Sequence, residues 1–469
     1  MILSALEATA VAAAVPTAVG GMGEIGRYSW VFSAYLLTST ITIPLFGKLA
    51  DLYGRKKTYV VSVLIFLVGS CLCGIAQTLP QLALFRAIQG IGAGGVLPIS
   101  STILGDIFSL EERGRMQALF SAVWAFSSLV GPLVGGFLTD TLSWRWIFFL
   151  NLPFGFVSIW LLVRHFREEP PPREHGLDVL GTAALAASAA LLLMGLIEGG
   201  HAWGFGDPRT LAMFVGSALA LVLFLWQQRR TPEPTLPLEI FANRVISVSS
   251  WGNAAVGATL YALTAFVPLF GQAVLGGTAT DAGKLLTPLL IGWPIASTIA
   301  GRMIGRMSYR RMAVIGGIFL SIGAIALTRI GPNPPRWALP TLLFSFGLGL
   351  GFLSMPYFLG VQNAVPWRLR GVASGSVQFF RSIGGAVGVA ALGALLSARL
   401  SSAGAVDPNA ALDPHLRAAL PTDRLLALTD AYFHALSTVF VVLAALALVS
   451  LGIAAFFPAG RARDLAHAQ

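Results

Sequence analysis

The stretch Gly47-Lys-Leu-Ala-Asp51-Leu-Tyr-Gly54-Arg55-Lys56-Lys57 decides the fold, because it is a short charged segment between two long apolar runs. Its eleven residues hold four cations and one acid, which cannot lie inside hydrocarbon. We therefore predict a tight turn at a membrane face. The cations indicate that this face is cytoplasmic, because cytoplasmic loops carry an excess of Lys and Arg.

The composition is that of a membrane protein. Of 469 residues, 55% are hydrophobic and 11% are charged, whereas soluble domains carry roughly 25% charged residues. Basic cytoplasmic loops account for the net charge of +10, so it does not imply a nucleic-acid partner. The two cysteines, Cys71 and Cys73, lie in an apolar run, which supports neither a disulfide framework nor a zinc site.

Apolar runs near the membrane-spanning length of about 20 residues predict fourteen transmembrane helices. They lie at 2–19, 29–48, 58–76, 80–104, 117–138, 145–164, 178–198, 210–227, 246–271, 285–304, 312–330, 338–358, 372–397 and 432–457. If both termini are cytoplasmic, 20 of the 31 Lys and Arg residues fall in cytoplasmic segments and 9 in outer loops. Such a bias supports the count, because a missed helix would reverse every later loop. The first run is short for a span, and we expect the native start to lie upstream of Met1.

The chain also repeats itself. The segment from Gly301 to Arg311 echoes the opening stretch, with Gly305 in place of Asp51. We predict two six-helix bundles related as parallel repeats, with two helices inserted between them. The expected divisions are 1–165 for the N-terminal bundle, 166–230 for the linker and insert, and 231–469 for the C-terminal bundle and a short tail.

Two ionisable residues fall within predicted spans near the N-terminus. Glu7 is the one acid that we place clearly inside a span, where burial penalises its charged form and makes it a candidate proton carrier. Arg86 cannot lose its proton and must find acceptors, for which Glu7 is the natural candidate. Gln89 follows at i+3 on roughly the same helix face. The alternatives are that Glu7 lies near the water interface and that Arg86 bonds backbone carbonyls.

Further candidates come from small, polar and aromatic residues in the spans. The run from Gly131-Pro132 to Gly135-Gly136 predicts a bent and closely packed helix, although generic small-residue packing explains it equally well. Arg381 is as consistent with snorkelling toward the cytoplasm as with a substrate contact. Many such side chains only pack or face lipid, but some should line a cavity. The candidates are Tyr35, Gln89, Trp124, Asn253, Tyr261, Tyr357, Gln378, Phe379 and Arg381.

Several function classes have no support in the sequence. It has no Gly-rich phosphate loop ending in Lys-Ser/Thr and no soluble stretch long enough for a nucleotide-binding domain, so ATP hydrolysis within the chain is not expected. It also has no His/Asp/Glu cluster at metal spacing and no Gly-x-Ser-x-Gly motif. We therefore expect neither an enzyme nor a bound metal or organic cofactor.

The motifs together resemble the fourteen-span drug:proton antiporters of the major facilitator superfamily. The segment Leu6-Glu7-Ala-Thr9-Ala-Val11 resembles the family's first-span motif, with Glu where Asp is usual and Ala12 where Asn is usual. Further matches lie in the fourth span, the fifth-span antiporter motif, the opening of the sixth span and a late segment. These matches are Arg86-Ala-Ile-Gln89-Gly90, Gly131-Pro132 to Gly136, Trp144 to Gly155 and Arg381 to Gly388.

The resemblance implies an all-α integral membrane protein with the major facilitator fold, which exchanges an amphiphilic compound for protons by alternating access. Glu7 would bind the proton and Arg86 would modulate its release. A cytoplasmic latch would comprise Gly47, Asp51, Gly54, Arg55, Asp106 and Arg113. Asp51 would be able to cap the cytoplasmic end of the thirteenth span. Spans nine to fourteen hold no clearly embedded acid, so a polyvalent cationic substrate is not expected.

The resemblance also implies a setting. We expect a monomer in the bacterial cytoplasmic (inner) membrane, whose partners are a small-molecule substrate, protons and the lipid bilayer, and whose driving force is the proton gradient. Two alternatives remain open. One is a dedicated exporter of a single product such as an antibiotic, siderophore or lipid. The other is a non-transporting membrane sensor or scaffold.

Overall fold

The computed structural model describes most of the chain, and within the described residues all regular structure is helical. The described residues are 2–23, 25–107, 123, 126–127, 130–166, 168, 178–231, 234, 236–303, 306–365, 370–402 and 407–458. The chain divides into two compact units. The first comprises Met1–Thr235 with Thr278–Gly283, and the second comprises Leu236–Gly277 with Lys284–Gln469.

The described residues of the first unit form nine helices. They are α1 (Ile2–Met22), α2 (Trp30–Tyr53), α3 (Arg55–Ile75), α4 (Leu79–Ile107), α5 (130–141), α6 (Trp146–Phe149), α7 (Asn151–His165), α8 (Val179–Glu198) and α9 (Pro208–Gln228). A short 3₁₀ turn, Ile25–Arg27, precedes α2, and a π-helical turn, Gly199–Trp203, continues α8. The two inserted helices, α8 and α9, therefore group with the first unit, in which α8 packs against α2.

Side-chain caps explain where the inserted helices begin. Asp178 accepts a hydrogen bond from the Gly181 amide at 2.9 Å, and Asp207 accepts one from the Arg209 amide at 2.7 Å. Aspartate favours this position because its carboxylate satisfies amides that have no partner inside the helix. Pro208, with its fixed φ and no amide hydrogen, suits the first position of α9.

Helix α4 is the centre of the first unit because glycines let its neighbours approach closely. Cβ atoms added at Gly90 and Gly94 would collide with α2, and one at Gly92 would collide with α3. This close approach lets a side chain of α2 bond the backbone of α4: the Thr38 hydroxyl donates to the Ala87 carbonyl at 2.8 Å. This small-residue packing fixes α4, which carries Arg86, against two helices.

The charged opening stretch forms the predicted tight turn, and the break between α2 and α3 is one residue long. Gly54 has φ of 91°, a left-handed conformation that glycine adopts without a Cβ penalty. The Glu168 carboxylate accepts hydrogen bonds from the amides of Arg55 and Lys56, at 2.6 and 2.9 Å. A carboxylate suits this place because the start of a helix carries a partial positive charge.

Seven helices are described for the second unit, and the first residues of one of them, α11, group with the first unit. They are α10 (Arg244–Ala273), α11 (Ala279–Met303), α12 (Tyr309–Leu327), α13 (Ala338–Asn363), α14 (Arg370–Ser402), α15 (Pro414–Ala419) and α16 (Thr422–Ala455). Helix α10 is buried among α13, α14 and α16. Gly384 of α14 lies so close to Ala254 of α10 that a Cβ there would collide with its backbone.

Eleven helices in the described part of the chain are long and apolar enough to cross a membrane. They correspond to eleven of the fourteen predicted spans, so the count of fourteen stays a prediction. Of the other three, the run at 2–19 contributes a shorter apolar helix, Ala10–Met22, and the run at 117–138 is described only at 123, 126–127 and 130–138. Helix α11, with Pro288 and Pro294 inside it, is not among the eleven.

Candidate functional site

The candidate site is a buried ion pair between the first and fourth helices. Helix α1 packs against α4, α6 and α7, which turns its polar residue toward these neighbours. Glu7 is 2% exposed and Arg86 is 3% exposed. The Nη1 of Arg86 donates to the Oε1 of Glu7. The structure thus brings together the two charges that the sequence placed inside spans.

The Arg86 guanidinium has acceptors besides the carboxylate. Its Nε donates to the Val31 carbonyl at 3.1 Å, and its Nη1 also donates to the Gln89 Oε1 at 2.7 Å. The guanidinium carbon lies 4.1 Å from the centre of the Tyr35 ring, which is cation–π distance. The sequence left two roles open for Arg86, pairing with Glu7 and bonding a backbone carbonyl. The structure shows both contacts.

Asn151 completes the site from the start of α7. Its Nδ2 donates to the Glu7 Oε2 at 2.5 Å and to the Ser70 Oγ at 3.0 Å. The Gln89 Nε2 also donates to the Ser70 Oγ, at 3.2 Å. Glu7, Ser70, Arg86, Gln89 and Asn151 therefore form one buried network from four helices. From the sequence, Asn151 was noted only as part of the Trp144 to Gly155 segment, and Ser70 was given no role.

The buried Glu7 carboxylate depends on the donors around it. A buried carboxylate is costly unless it is paired, and here both of its oxygens accept hydrogen bonds. Removal of the Arg86 contact would leave the Glu7 carboxylate in a buried site with the Asn151 amide as its remaining donor. Arg86 would keep its acceptors at Val31 and Gln89, so the pair can open without leaving the guanidinium unsatisfied.

The glycine-rich segment 131–136 lies against the helix that carries Glu7. A Cβ added at Gly135 of α5 would collide with the carbonyl oxygen of Ala10, one helical turn after Glu7. A Cβ at Gly136 would collide with the backbone of Thr280, and one at Gly283 would collide with the carbonyl of Pro132. This glycine-rich segment therefore packs closely both on α1 and on the Thr278–Gly283 segment of the first unit.

The latch residues are described only in part. Gly54 and Arg55 lie at the turn between α2 and α3, and Gly47 has open space where a Cβ would stand. The side chains of Asp51 and Asp106, and all of Arg113, lie outside the described residues. The latch therefore stays a prediction.

The described candidate cavity residues lie in both units. Tyr35 and Gln89 belong to the Glu7 network, and Trp124 lies outside the described residues. Tyr357 is fully buried, and its ring stacks on Phe457 at 6.0 Å, which is a packing environment.

The other candidates lie on α10 and α14 of the second unit. Arg381 places its guanidinium carbon 6.0 Å from the centre of the Trp293 ring, and a buried Asn253 donates to the Ser249 carbonyl. The Gln378 amide donates to the Ser382 hydroxyl, and the Phe379 ring contacts the Phe380 ring. The Tyr261 ring lies against Gly385.

The structure buries a further acid to which the sequence analysis gave no role. Glu198, at the end of α8, is 7% exposed and accepts from the Arg27 Nε at 3.0 Å. Its position at the edge of an apolar run made it indistinguishable from an interfacial residue. Among the described residues, no group of three His, Cys, Asp or Glu side chains is placed to hold a metal ion.

The described residues contain eleven helices that are long and apolar enough to cross a membrane, as in a multi-pass integral membrane protein. The family model of the Major Facilitator Superfamily matches residues 1–389. The chain therefore belongs to the major facilitator superfamily and is a transporter of that family.

Relatives with functional names support the same class. "Multidrug resistance protein 3" of Bacillus subtilis (strain 168) is 36% identical over 395 residues, which cover 84% of this chain and 77% of that protein. "Multidrug transporter protein MdtP" of the same organism is 32% identical over 399 residues, covering 85% and 74%.

A solved structure supports the fold. It is the crystal structure of a bacterial homologue of the human lysosomal transporter Spinster, in an inward-facing and occupied conformation. It aligns with a TM-score of 0.64 at 16% identity and covers 97% of this chain and 93% of that chain.

Proposed function

We propose that the protein is a proton-coupled antiporter that exports hydrophobic or amphiphilic small molecules across a bacterial cytoplasmic membrane. The observation that carries the proposal is the buried Glu7–Arg86 pair, because a carboxyl group inside a membrane is a natural proton carrier. The multidrug names of the relatives support the substrate class. We further propose that both termini are cytoplasmic, that the protein acts as a monomer, and that the proton gradient replaces any cofactor as the energy source.

The proposed cycle uses the network around Glu7. In one state Glu7 is ionised and held by Arg86 and Asn151. When the helices shift and the Arg86 contact opens, Glu7 takes a proton, which removes the cost of the buried charge. The Asn151 amide suits both forms, because rotating it presents its oxygen to a protonated acid instead of its NH₂ to a carboxylate. Substrate release on one side and proton release on the other then follow from alternating access.

The charged turn between α2 and α3 would act as a conformational latch in this cycle. We propose that Asp51 and Arg55 engage the cytoplasmic ends of neighbouring helices and that Asp106 and Arg113 are their partners. Asp51→Asn should slow transport and leave substrate-linked proton release intact, because the chemistry lies at Glu7. Loss of proton release in this variant would overturn the latch assignment.

Vesicle transport tests the proposed function. A drug-susceptibility panel on cells with and without the protein first identifies a transported compound. Everted membrane vesicles with an imposed pH gradient should then move that compound with the wild-type protein. They should not do so with Glu7→Gln, which removes the titratable group. Glu239→Gln, the same change at an exposed position, is the matched control and should retain transport.

The competing function classes give different outcomes in this assay. A non-transporting sensor or scaffold would move no compound in either form. Movement that is equal in wild type and Glu7→Gln and independent of the gradient would contradict proton coupling through Glu7.

A further inference from the structure

A second feature of the first unit lies apart from the Glu7 network. It is a cavity of about 460 Å³ between α2, α4 and the inserted helix α8. Its volume is within the range of small-molecule sites, roughly 300–1,000 Å³. It lies at the membrane face where α4 begins and α8 ends, opposite the charged turn between α2 and α3.

One end of the cavity is polar. The Glu198 carboxylate accepts hydrogen bonds there from Arg27 and Trp30. The Arg27 Nε donates to both carboxylate oxygens, at 3.0 and 3.4 Å, the Arg27 Nη2 donates at 3.1 Å and the Trp30 Nε1 donates at 3.2 Å. Glu198 is buried, whereas the Arg27 side chain remains about one-third exposed, at 32%. The cavity therefore carries one positive and one negative group side by side, with no net charge from the pair.

The backbone at this end is unusual. Helix α8 continues into the π-helical turn Gly199–Trp203, which brings both Glu198 and Trp203 to the cavity wall. A Cβ at Gly26 would collide with the His201 ring, so this turn sits tightly on the 3₁₀ turn that carries Arg27. π-Helical turns are rare and frequently mark functional sites.

The other end of the cavity is apolar. Ala83 and Ala87 lie one turn apart on α4, and their small side chains leave the room that longer ones would fill. Leu84 and Met194 line the same end and are 60% and 38% exposed. These exposed apolar side chains, on helices of membrane-spanning length, are suited to contact with lipid tails.

We propose that this cavity binds a zwitterionic amphiphile that enters from the bilayer, with its tail between α4 and α8 and its head group at the Arg27–Glu198 pair. An anionic group would approach the exposed Arg27 and a cationic group would approach Glu198. A ligand with net charge would meet one attractive and one repulsive partner, whereas a zwitterion complements both. Two sources share this chemistry: a membrane phospholipid with an amine head group, and a zwitterionic compound on its way through the transporter.

Native mass spectrometry of the purified full-length protein tests this site. The probes are dioleoyl phosphatidylethanolamine, which is zwitterionic, and dioleoyl phosphatidylglycerol, which has the same tails and an anionic head. The wild-type protein should retain about ten times more phosphatidylethanolamine than phosphatidylglycerol. Ala83→Trp fills the cavity and should abolish this preference, whereas Ile91→Trp, at a partly exposed site on the same helix outside the cavity lining, should preserve it.

A second variant tests the head-group assignment without filling the cavity. Glu198→Gln keeps an acceptor for Arg27 and Trp30 but leaves the pair cationic, so preference should move toward phosphatidylglycerol. Equal retention of both lipids by the wild type, or an unchanged preference in Ala83→Trp and Glu198→Gln, would overturn the proposal. A zwitterionic fluoroquinolone as competitor distinguishes the sources: displacement of the lipid assigns the site to compounds in transit, and retention assigns it to lipid.

Discussion

The energetic coupling between Glu7 and Arg86 is the most informative stability prediction. We would replace Arg86 with Met, which keeps the apolar stem and removes the guanidinium, in the wild type and in Glu7→Gln. In the wild type the change leaves the Glu7 Oε1 without its donor in a buried site. Breaking a buried ion pair on one side costs about 3–5 kcal/mol.

The same change should cost less when the carboxylate is already absent. In Glu7→Gln, Arg86→Met removes only hydrogen bonds from the guanidinium to neutral acceptors such as Val31 and Gln89. Hydrogen bonds to a charged group contribute about 1.5–3 kcal/mol. The difference between the two backgrounds, about 2 kcal/mol, is the coupling free energy of the pair.

Reversible unfolding by SDS titration in mixed micelles would measure the four free energies of this cycle. Arg209→Met, at an exposed position near the start of α9, is the control and should have the same effect in both backgrounds. A coupling free energy near zero for Glu7 and Arg86 would refute the reasoning that the pair is held by buried charge.

Three further predictions follow from single contacts of the first unit. Asn151→Leu should lower the free energy of unfolding by about 1.5–3 kcal/mol and impair coupled efflux, because the Glu7 carboxylate loses a donor; unfolding and vesicle transport equal to wild type would contradict it. Gly135→Leu should abolish transport by forcing α5 away from Ala10, whereas Gly21→Ala, with open space around it, should transport normally. Glu168→Gln should lower the unfolding free energy by about 0.3–1 kcal/mol through loss of charge at the start of α3, and high salt should reduce that difference.

The parts of the fold that the sequence predicted rest on properties of single segments. Hydropathy is local, so eleven of the predicted spans appear as helices of membrane-spanning length and composition. The turn at Gly54 was equally local, because its charges and glycines cannot lie in a span. The prediction of a span at 117–138 stays a prediction, because 117–122, 124–125 and 128–129 lie outside the described part of the chain.

The parts of the site that the sequence missed depend on which helices meet. Glu7 and Arg86 were foreseeable as partners, because opposite charges inside hydrocarbon must find each other. Asn151 looked like any polar residue at the start of a span, and its role arises only when α7 packs beside α1. Glu198 was missed for the same reason, since its partner Arg27 belongs to a helix connection far away in the sequence.

Proton release by the purified protein tests the central claim most directly. The wild-type protein, in a weakly buffered solution with a pH-sensitive dye, receives a compound that it has been shown to export. We predict that adding the compound releases protons from the wild type and from Glu239→Gln, and that Glu7→Gln releases none. Proton release from Glu7→Gln equal to that of the wild type would contradict the account.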